Sequence, residues 1–318
     1  MKKTLLITAS SVIVVLLVGL LFAGNYFYGK GIKRGTDVEL HRGSTEEVNT
    51  SPVSGNKQPL NKAKNWYENQ DKQTLTLTSF DDLTLQAKYI KNEKASDKTA
   101  ILAHGFRKTG DAMGDLAKFY YDKGFSILLP DARGHGDSDG DYIGYGWHDR
   151  LDYIDWIDRM ITEYNTDDII LHGNSMGAAT VLMASGEELP DEVKGIVADS
   201  GYTTVKAELA HQLNHLYSLP SFPLLDVTSL ITNVRAGYML GEGSAVEQVK
   251  QNTRPLMIIH GGSDELVPTD MAKEIYDAAS GDKSLWIIPD AEHKEAFDMK
   301  TKLFKKRVGA FVDRALNK

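Results

Sequence analysis

A five-residue turn at positions 173–177, Gly-Asn-Ser-Met-Gly, restricts the folds open to this chain more than any other segment. The residues before it, 168–172, are mostly β-branched or apolar, which is typical of a buried parallel strand. The residues after it, 178–184, are small or apolar and favour a helix. A G-x-S-x-G sequence between a strand and a helix forms a nucleophile elbow, whose glycines permit the strained turn that exposes the serine hydroxyl. The pattern predicts a nucleophilic Ser175, with an ordinary Gly-rich turn as the alternative.

A nucleophilic serine needs a base, and His293 is the predicted one. A serine hydroxyl reacts weakly until its proton is removed, usually by a histidine that a carboxylate holds in place. In proteins with this elbow the order along the chain is serine, acid, histidine. Among the nine histidines, His293 alone follows the last predicted strand after a short turn and lies downstream of every candidate acid.

Asp264 is the predicted acid. It follows an apolar strand pattern at 255–261 and comes first after a glycine turn. Glu265 and Asp199 are rivals, since both also lie near strand ends. An isolated aspartate more often serves a turn or a helix cap. The assignment therefore depends on three residues of the right types, in the right order, each following its own strand.

Two backbone amides are predicted to stabilise the negative charge that develops on the substrate oxygen. One is the N–H of Met176, the residue after the nucleophile, and the other comes from the loop after an earlier strand. The strand pattern at 99–103 is followed by His-Gly and then Phe106, so we assign the second amide to Phe106. A plain glycine turn explains the His-Gly pair equally well on its own.

Roughly from residue 62 to its C terminus, the chain resembles the α/β-hydrolase superfamily. The shared features are His104-Gly105-Phe106, residues 131–138, the elbow at Ser175, Asp264 with Val267-Pro268, and His293. Residues 199–204 and 234–238 resemble the bacterial serine-hydrolase branch related to serine aminopeptidases and prolyl-oligopeptidase-type catalytic domains. The resemblance implies a serine hydrolase that needs no cofactor, in which the Arg-Gly-His-Gly turn is mostly structural. Lys294 departs from the pattern, because many relatives have a small residue after the base.

Alternating strand and helix patterns predict an α/β fold, with a mostly parallel eight-stranded sheet covered by helices on both faces. The strand patterns lie at 74–80, 83–90, 100–103, 126–130, 169–172, 193–198, 256–260 and 285–288. The helical patterns lie at 112–123, 147–164, 175–185, 269–279 and 296–316. The resemblance makes residues 62–318 one α/β-hydrolase domain.

An insertion at about 203–252 is expected to form a small helical cap, because the resemblance places the cap of the superfamily there. Its apolar residues either line an acyl pocket or pack the cap onto the domain; they are Leu213, Leu216, Tyr217, Leu219, Phe222, Leu224, Leu225, Tyr238 and Met239. His211 and His215 stand four apart on a predicted helix, which suits a metal, but no third ligand is in view. No metal site is predicted.

Residues 1–29 predict a transmembrane anchor. Their apolar centre, 5–23, spans about 30 Å as a helix, which matches the hydrocarbon core of a bilayer. A cleaved secretory signal is the alternative, although its apolar region is usually only about 7–15 residues long. Aromatic residues at 26–28 favour the uncleaved anchor, since such residues gather at membrane interfaces.

Orientation is predicted with the N terminus inside a bacterial cell and the catalytic domain outside, in a single-pass protein of the cell membrane. Lys2 and Lys3 favour this orientation, whereas Lys30, Lys33 and Arg34 on the other flank oppose it. The absence of cysteine agrees with an exported protein and excludes disulfides and thiolate metal sites.

Residues 30–61 are polar and lack a periodic apolar pattern, so a flexible tether is expected between the anchor and the domain. The net charge of −8, with no long basic stripe, argues against nucleic acid as a partner. The sequence gives no indication of the oligomeric state.

These features favour a carboxylesterase that cleaves small to medium acyl esters through an acyl-enzyme. An aminopeptidase or acylpeptide-type serine peptidase is the second reading, and an acyltransferase is the third. The expected partners are a small-molecule ester or a short peptide as substrate, and the membrane through the N-terminal helix. Outside the enzymes, a non-catalytic scaffold domain on the same fold is the alternative.

Overall fold

The computed structural model describes residues 2–35, 58–94 and 97–317. Its strands are β1 (Gln73–Thr78), β2 (Thr84–Ile90), β3 (Lys98–Ala103), β4 (Ser126–Pro130), β5 (Asp168–Asn174), β6 (Val193–Asp199), β7 (Leu256–Gly261) and β8 (Lys283–Ile288). They form one eight-stranded sheet in the order β1-β2-β4-β3-β5-β6-β7-β8. β2 pairs antiparallel with β1 and β4, and the remaining neighbours pair in parallel. The predicted mostly parallel sheet is confirmed.

The helices follow the sheet strands in alternation from β3 onward. In the described residues they are α1 (Lys2–Gly31), α2 (Gln58–Glu68), α3 (Gly114–Asp122), α4 (Asp149–Tyr164), α5 (Met176–Ala184), α6 (Val205–Tyr217), α7 (Leu224–Ala236), α8 (Ala245–Val249), α9 (Thr269–Ala278), α10 (Ala296–Met299) and α11 (Thr301–Leu316). A short 3-10 turn at Gly110–Met113 precedes α3. The segment that we expected to form a cap contains α6, α7 and α8.

Two apolar cores lie on opposite faces of the sheet, because successive side chains of a strand point to opposite faces. In β5, Ile169 and Leu171 belong to the core shared with α4, α5 and α9, whereas Ile170 belongs to the core shared with α3 and α11. Strands buried on both faces must be apolar throughout, which explains the continuous apolar runs of β3, β4 and β5. This layering is the α/β-hydrolase arrangement that the sequence predicts.

Parallel pairing brings the loops that carry the candidate site to one edge of the sheet. The end of β3 at Ala103 lies beside Gly173 of β5, and Gly261 of β7 lies beside Ile288 of β8. Ligands of open α/β sheets bind at the carboxyl ends of their strands. Ser175, Asp264 and His293 all follow strands that end at this edge.

The structure differs from the expected tether at both of its ends. Ile32 is fully buried, which contributes about 2 kcal/mol to stability. Lys33 forms a β-bridge with Tyr142, and the Arg34 guanidinium donates hydrogen bonds to carbonyl oxygens of the folded body. The chain therefore does not become free at residue 30, because residues 32–34 pack against the domain or form hydrogen bonds with it. Residues 36–57 of the expected tether lie outside the described residues, and α2 begins at residue 58.

Candidate active site

Ser175 stands in a strained turn between β5 and α5. Its backbone has φ of 57° and ψ of −119°, a combination that a residue with a side chain rarely adopts. A Cβ on Gly173 would lie 2.1 Å from the carbonyl oxygen of Gly177, and a Cβ on Gly177 would lie 2.1 Å from that of Ala103. Both contacts are with backbone, so only glycine fits at either position. The elbow geometry follows from these two close approaches.

The three residues predicted as nucleophile, base and acid lie together. His293 Nε2 is 2.8 Å from Ser175 Oγ, and His293 Nδ1 is 2.7 Å from Asp264 Oδ2. The carboxylate accepts the Nδ1 proton, which leaves Nε2 free to accept the serine hydroxyl proton. The imidazole thus joins an alcohol to a carboxylate in one hydrogen-bonded relay.

Asp264 is buried, and its carboxylate is surrounded by three hydrogen-bond donors and a second imidazole. Its Oδ1 accepts hydrogen bonds from the N–H groups of Leu266 (3.0 Å) and Val267 (2.8 Å). Its Oδ2 accepts from His293, and His260 Nε2 lies 3.2 Å away. Burial raises the pKa of Asp264, but the neighbouring imidazoles of His260 and His293 outweigh burial and hold the pKa well below its ordinary value. The carboxylate is therefore ionised and able to orient the imidazole.

The two rival acids occupy other positions. Glu265 is exposed, and its main-chain carbonyl oxygen lies 2.8 Å from His211 Nε2. Asp199 is buried and accepts a hydrogen bond from the Ser200 hydroxyl at 2.9 Å, while its main-chain carbonyl accepts the Ser175 N–H. Burial raises the pKa of Asp199 to about 6. The imidazole ring bonds to Asp264 and to neither rival.

His293 is suited to accept a proton near neutral pH. Loss of hydration lowers its pKa, and the hydrogen bond and charge of Asp264 offset that effect only in part, so the pKa lies below its ordinary value of about 6.5. A group with a lowered pKa is neutral at pH 7, which is the state that a general base requires.

Phe106 and Met176, the predicted oxyanion residues, line the same cavity as Ser175 and His293. Met176 is the first residue of α5, so its N–H has no acceptor within the helix. The loop before Phe106 lies against the nucleophile, because a Cβ on Gly105 would be only 3.3 Å from Ser175 Cβ. The assignment of these two amides to the oxyanion stays a prediction that this proximity supports.

Two buried histidines brace the loop that carries Phe106, and sequence analysis assigned neither a role at the site. His135 Nε2 accepts the N–H of Arg107 at 3.0 Å, and its Nδ1 donates to the Arg133 carbonyl at 3.0 Å. Burial lowers the pKa of His135 to about 3, so the ring is neutral and can accept. Arg107, which directly follows Phe106, is therefore held by a hydrogen bond to the Arg-Gly-His-Gly turn.

His104 fixes the other side of the same loop. Its Nδ1 donates to the Gly105 carbonyl at 2.8 Å, and its Nε2 accepts the N–H of Ala132 at 2.9 Å. Burial lowers the pKa of this ring as well. In the sequence, His104 and His135 each precede a glycine in a predicted turn. Such pairs are too common to indicate a role at an active site.

Lys294, the departure noted in the sequence, lies at the wall of the cavity. It is partly buried, has a positive φ of 60°, and donates its N–H to Ser200 Oγ at 3.2 Å. Its ammonium would lie 3.8 Å from a Cβ on Gly105. Loss of hydration and the nearby Lys108 lower the pKa of Lys294.

The pair of cap histidines does not gather further ligands in the described part of the chain. The rings of His211 and His215 stack with centroids 5.8 Å apart. Across residues 2–35, 58–94 and 97–317, no group of three or more His, Asp or Glu side chains is placed to hold a metal ion. The metal-free and cofactor-free reading stays an expectation.

Comparisons with known proteins identify relatives by sequence and by fold. A family model described as serine aminopeptidase, S33, matches residues 94–236. The uncharacterised protein YqkD of Bacillus subtilis is 26% identical over 98% of this chain and 98% of its own length. The lysophosphatidylserine lipase ABHD12 of Danio rerio is 27% identical over 62% of this chain and 51% of its own length.

Solved structures give the same result. The Pyrococcus furiosus esterase Pf2001 matches with a TM-score of 0.64 and 25% identity, covering 85% of this chain and 99% of its own. The chain has the α/β-hydrolase fold and is similar to serine hydrolases that share it.

Proposed function

We propose that this serine hydrolase is a carboxylesterase that cleaves small to medium acyl esters through a covalent acyl-enzyme. The observation that carries the proposal is the position of the His293 imidazole, 2.8 Å from Ser175 Oγ and 2.7 Å from Asp264 Oδ2. Such a relay activates a serine for attack on a carbonyl carbon.

The reaction proceeds in two halves. Ser175 Oγ bonds to the ester carbonyl carbon as His293 Nε2 takes its proton, and the oxyanion accepts hydrogen bonds from the Phe106 and Met176 amides. The tetrahedral intermediate then breaks its bond to the alcohol oxygen, which receives the proton from His293. Water repeats the sequence on the acyl-enzyme, and its proton passes through His293 back to Ser175 Oγ as the carboxylic acid leaves.

The walls of the nucleophile cavity favour an ester over a peptide. Tyr145, Tyr202, Leu209, Leu266 and Val267 give it a largely carbon surface. The similar proteins named above as esterase and lipase cleave the same type of bond. A neutral acyl ester fits such a surface without the loss of a charged group's hydration.

One residue favours the second candidate, an aminopeptidase. Glu208 of α6 lines the cavity, and in the described residues its buried Oε2 has no hydrogen-bond partner. A carboxylate there would bind the ammonium group of a peptide N terminus. Burial, however, raises the pKa of Glu208 to about 8, so the free enzyme holds it mostly as a neutral acid at pH 7. A neutral acid matches an ester substrate better than a cation.

A labelling experiment tests the proposed nucleophile. The full chain in detergent is treated with a fluorophosphonate probe beside Ser175→Ala and Ser263→Ala, the latter an exposed serine used as control. We expect labelling of the wild type and of Ser263→Ala, with none of Ser175→Ala. Labelling that persists in Ser175→Ala would contradict the assignment, and an unlabelled wild type would favour a scaffold domain.

A substrate comparison then separates the two enzyme classes. We expect p-nitrophenyl butyrate to be cleaved with a kcat/KM at least tenfold above that of any aminoacyl p-nitroanilide. Efficient anilide cleavage that falls on Glu208→Gln, with poor ester turnover, would instead establish the aminopeptidase.

We also propose that α1 is an uncleaved membrane anchor with the catalytic domain outside the cell. Residues Ile7–Gly31 form a helix long and apolar enough to cross a bilayer, although a signal sequence can have the same length and hydropathy. Burial of Tyr28 and Ile32 in the domain core supports retention of this segment. We expect the protein to resist carbonate extraction, to keep its full-length mass and to lose its catalytic domain when intact bacteria are treated with protease.

A further inference from the structure

A second cavity separates the end of α1 from the cap helices. Its walls include Phe27 and Gly31 of α1, Leu213 and Leu216 of α6, and Leu225 of α7. The carbon-rich lining suits a hydrocarbon chain, because apolar groups gain free energy when they leave water.

This cavity adjoins the one that contains Ser175. Phe106, Tyr145, Leu209 and Gln212 line both. The rings of Phe106 and Tyr145 stack at the junction, with centroids 5.3 Å apart. The cavity that contains Ser175 and the cavity beside α1 therefore share one mostly apolar wall.

The wall formed by α1 is fixed to the catalytic domain. Arg107 Nη2 donates to the Lys30 carbonyl at 2.9 Å, and the Tyr145 hydroxyl donates to the Gly31 carbonyl at 2.8 Å. These bonds satisfy carbonyl groups that a helix end leaves without intrahelical partners. Arg107 directly follows Phe106, so the helix end is bonded to the loop that borders the nucleophile.

The same helix leads away from the cavity as an exposed apolar rod. Most of its large apolar side chains between Ile7 and Phe22 are exposed. From Gly24, where α1 packs on α7, to Gly31 in the cavity wall the helix rises only about 10 Å. Phe222, in the loop before α7, is also 75% exposed, and large exposed apolar surfaces occur where a protein contacts another protein or a membrane.

We propose that the cavity binds the acyl chain of a bilayer ester lipid, with α1 serving both as membrane anchor and as a wall of the acyl site. The chain enters between α1 and α6 from the membrane side and places its ester carbonyl at Ser175. The substrate class is then a fatty acyl ester held in the membrane, with an acyl chain longer than the small to medium ones proposed above. This inference rests on the proposed esterase activity and anchor, and extends them to the source and length of the acyl group.

Two glycines of α1 provide a matched test. A Cβ on Gly31 would meet Leu209 Cδ2 at 3.7 Å and Tyr145 Oη at 3.9 Å, ordinary contacts inside the cavity. A Cβ on Gly29 would meet nothing within 4 Å. Gly31→Leu therefore fills the cavity, whereas Gly29→Leu adds the same side chain to the same helix outside it.

The readout is the ratio of kcat/KM for p-nitrophenyl dodecanoate to that for p-nitrophenyl butyrate, with the full chain in phosphatidylcholine vesicles. We expect Gly31→Leu to lower this ratio at least tenfold, since each buried methylene that is excluded costs about fourfold. Gly29→Leu is expected to keep the wild-type ratio.

A second pair of variants, on α6, tests the same cavity in case Gly31→Leu does not fold. Leu216→Trp narrows the cavity from the α6 side, and Asn214→Trp adds the same ring at an exposed position of that helix. We expect Leu216→Trp to lower the ratio and Asn214→Trp to leave it unchanged.

The outcomes separate this inference from the proposed function. A wild type that cleaves neither ester would overturn the esterase itself. A wild type that cleaves butyrate, together with a ratio that Gly31→Leu and Leu216→Trp leave unchanged, would overturn the acyl site alone. An equal fall in Gly29→Leu and Gly31→Leu would also contradict it, because a cavity effect must distinguish the two.

Discussion

The edge of the sheet around Ser175 and the contact of α1 with the cap are organised in opposite ways. At the sheet edge, each site residue follows its own strand within a few positions, so parallel pairing brings Ser175, Asp264 and His293 together. At the α1 contact, the helix meets α7 and the 142–145 loop across more than a hundred residues of chain. The first region is fixed by topology, and the second is fixed by side-chain packing.

The difference also appears in how the polar groups are satisfied. Around Ser175, buried histidines and carboxylates accept and donate through defined ring atoms, as with His135 and Asp264. Along α1, the contacts are mostly apolar, and polar bonds come mainly where the helix ends at Lys30 and Gly31. Changes in the first region should alter the rate of catalysis, whereas changes in the second should alter stability and chain-length preference.

The largest effect is expected from Asp264→Asn. An amide would favour the wrong imidazole tautomer, because its NH₂ group donates where the carboxylate accepts, and we expect kcat on butyrate to fall by roughly 10⁴-fold. Steady-state kinetics with p-nitrophenyl butyrate measures the effect. Glu265→Gln, at the exposed neighbouring position, is the control and should retain activity within about twofold. A comparable loss in both variants would refute the choice of Asp264 over its neighbour.

A smaller effect is expected when the loop that carries Phe106 loses its hydrogen bond to His135. His135→Ala removes the acceptor of the Arg107 N–H, and we expect kcat to fall about 10- to 100-fold with KM little changed, since one misplaced oxyanion donor costs about 10²–10³-fold. Asp137→Ala, exposed in the same turn, serves as control. A purely structural role would lower the melting temperature and leave kcat of the folded protein intact, which would exclude the positioning role.

The contrast between the two regions also explains how much could be predicted from the sequence. The strand that ends before Ser175 and the strands before Asp264 and His293 were readable, because buried parallel strands are apolar runs and the elbow has a fixed spacing. The brace by His135 was not readable, since its partner Arg107 lies 28 positions away and the bond joins a ring to a backbone amide. Packing of Tyr28 and Ile32 into the domain was missed because an apolar run near a terminus looks the same whether it ends in water or in a core.

The packing of α1 on the cap is tested by a glycine pair. A Cβ on Gly24 would lie 2.7 Å from Val227 Cγ1 and 3.3 Å from the Thr228 backbone nitrogen, whereas one on Gly19 would meet nothing within 4 Å. We expect Gly24→Leu to lower the free energy of unfolding by about 2 kcal/mol, a factor of about 30 in the equilibrium constant, because overpacking forces the helices apart.

Thermal denaturation of the full chain in detergent measures this change, with Gly19→Leu as control. Butyrate kcat/KM of the folded fraction should stay within about threefold of wild type, since the contact lies away from the relay. Equal stability of the two leucine variants would show that α1 does not pack on α7. A large loss of butyrate turnover in Gly24→Leu would show that the α1 contact also controls catalysis, contrary to the separation argued above.

The smallest expected effect concerns the pH dependence of catalysis at Ser175. His293 acts as base only when neutral, so kcat/KM falls as pH drops through its pKa, which loss of hydration and the nearby Lys294 charge hold below the ordinary value. Lys294→Met removes that charge and raises the pKa of His293, so the acidic limb of the profile should move to higher pH by less than about one unit. At pH 5 this shift lowers kcat/KM by a few fold.

The profile of kcat/KM for butyrate between pH 4 and 8 measures the shift. Lys300→Met, which changes an exposed lysine, should leave the acidic limb where it is in the wild type. A limb that moves to lower pH would mean that Lys294 acts on catalysis through packing, because the loss of a positive charge shifts the pKa of a neighbouring imidazole only upward.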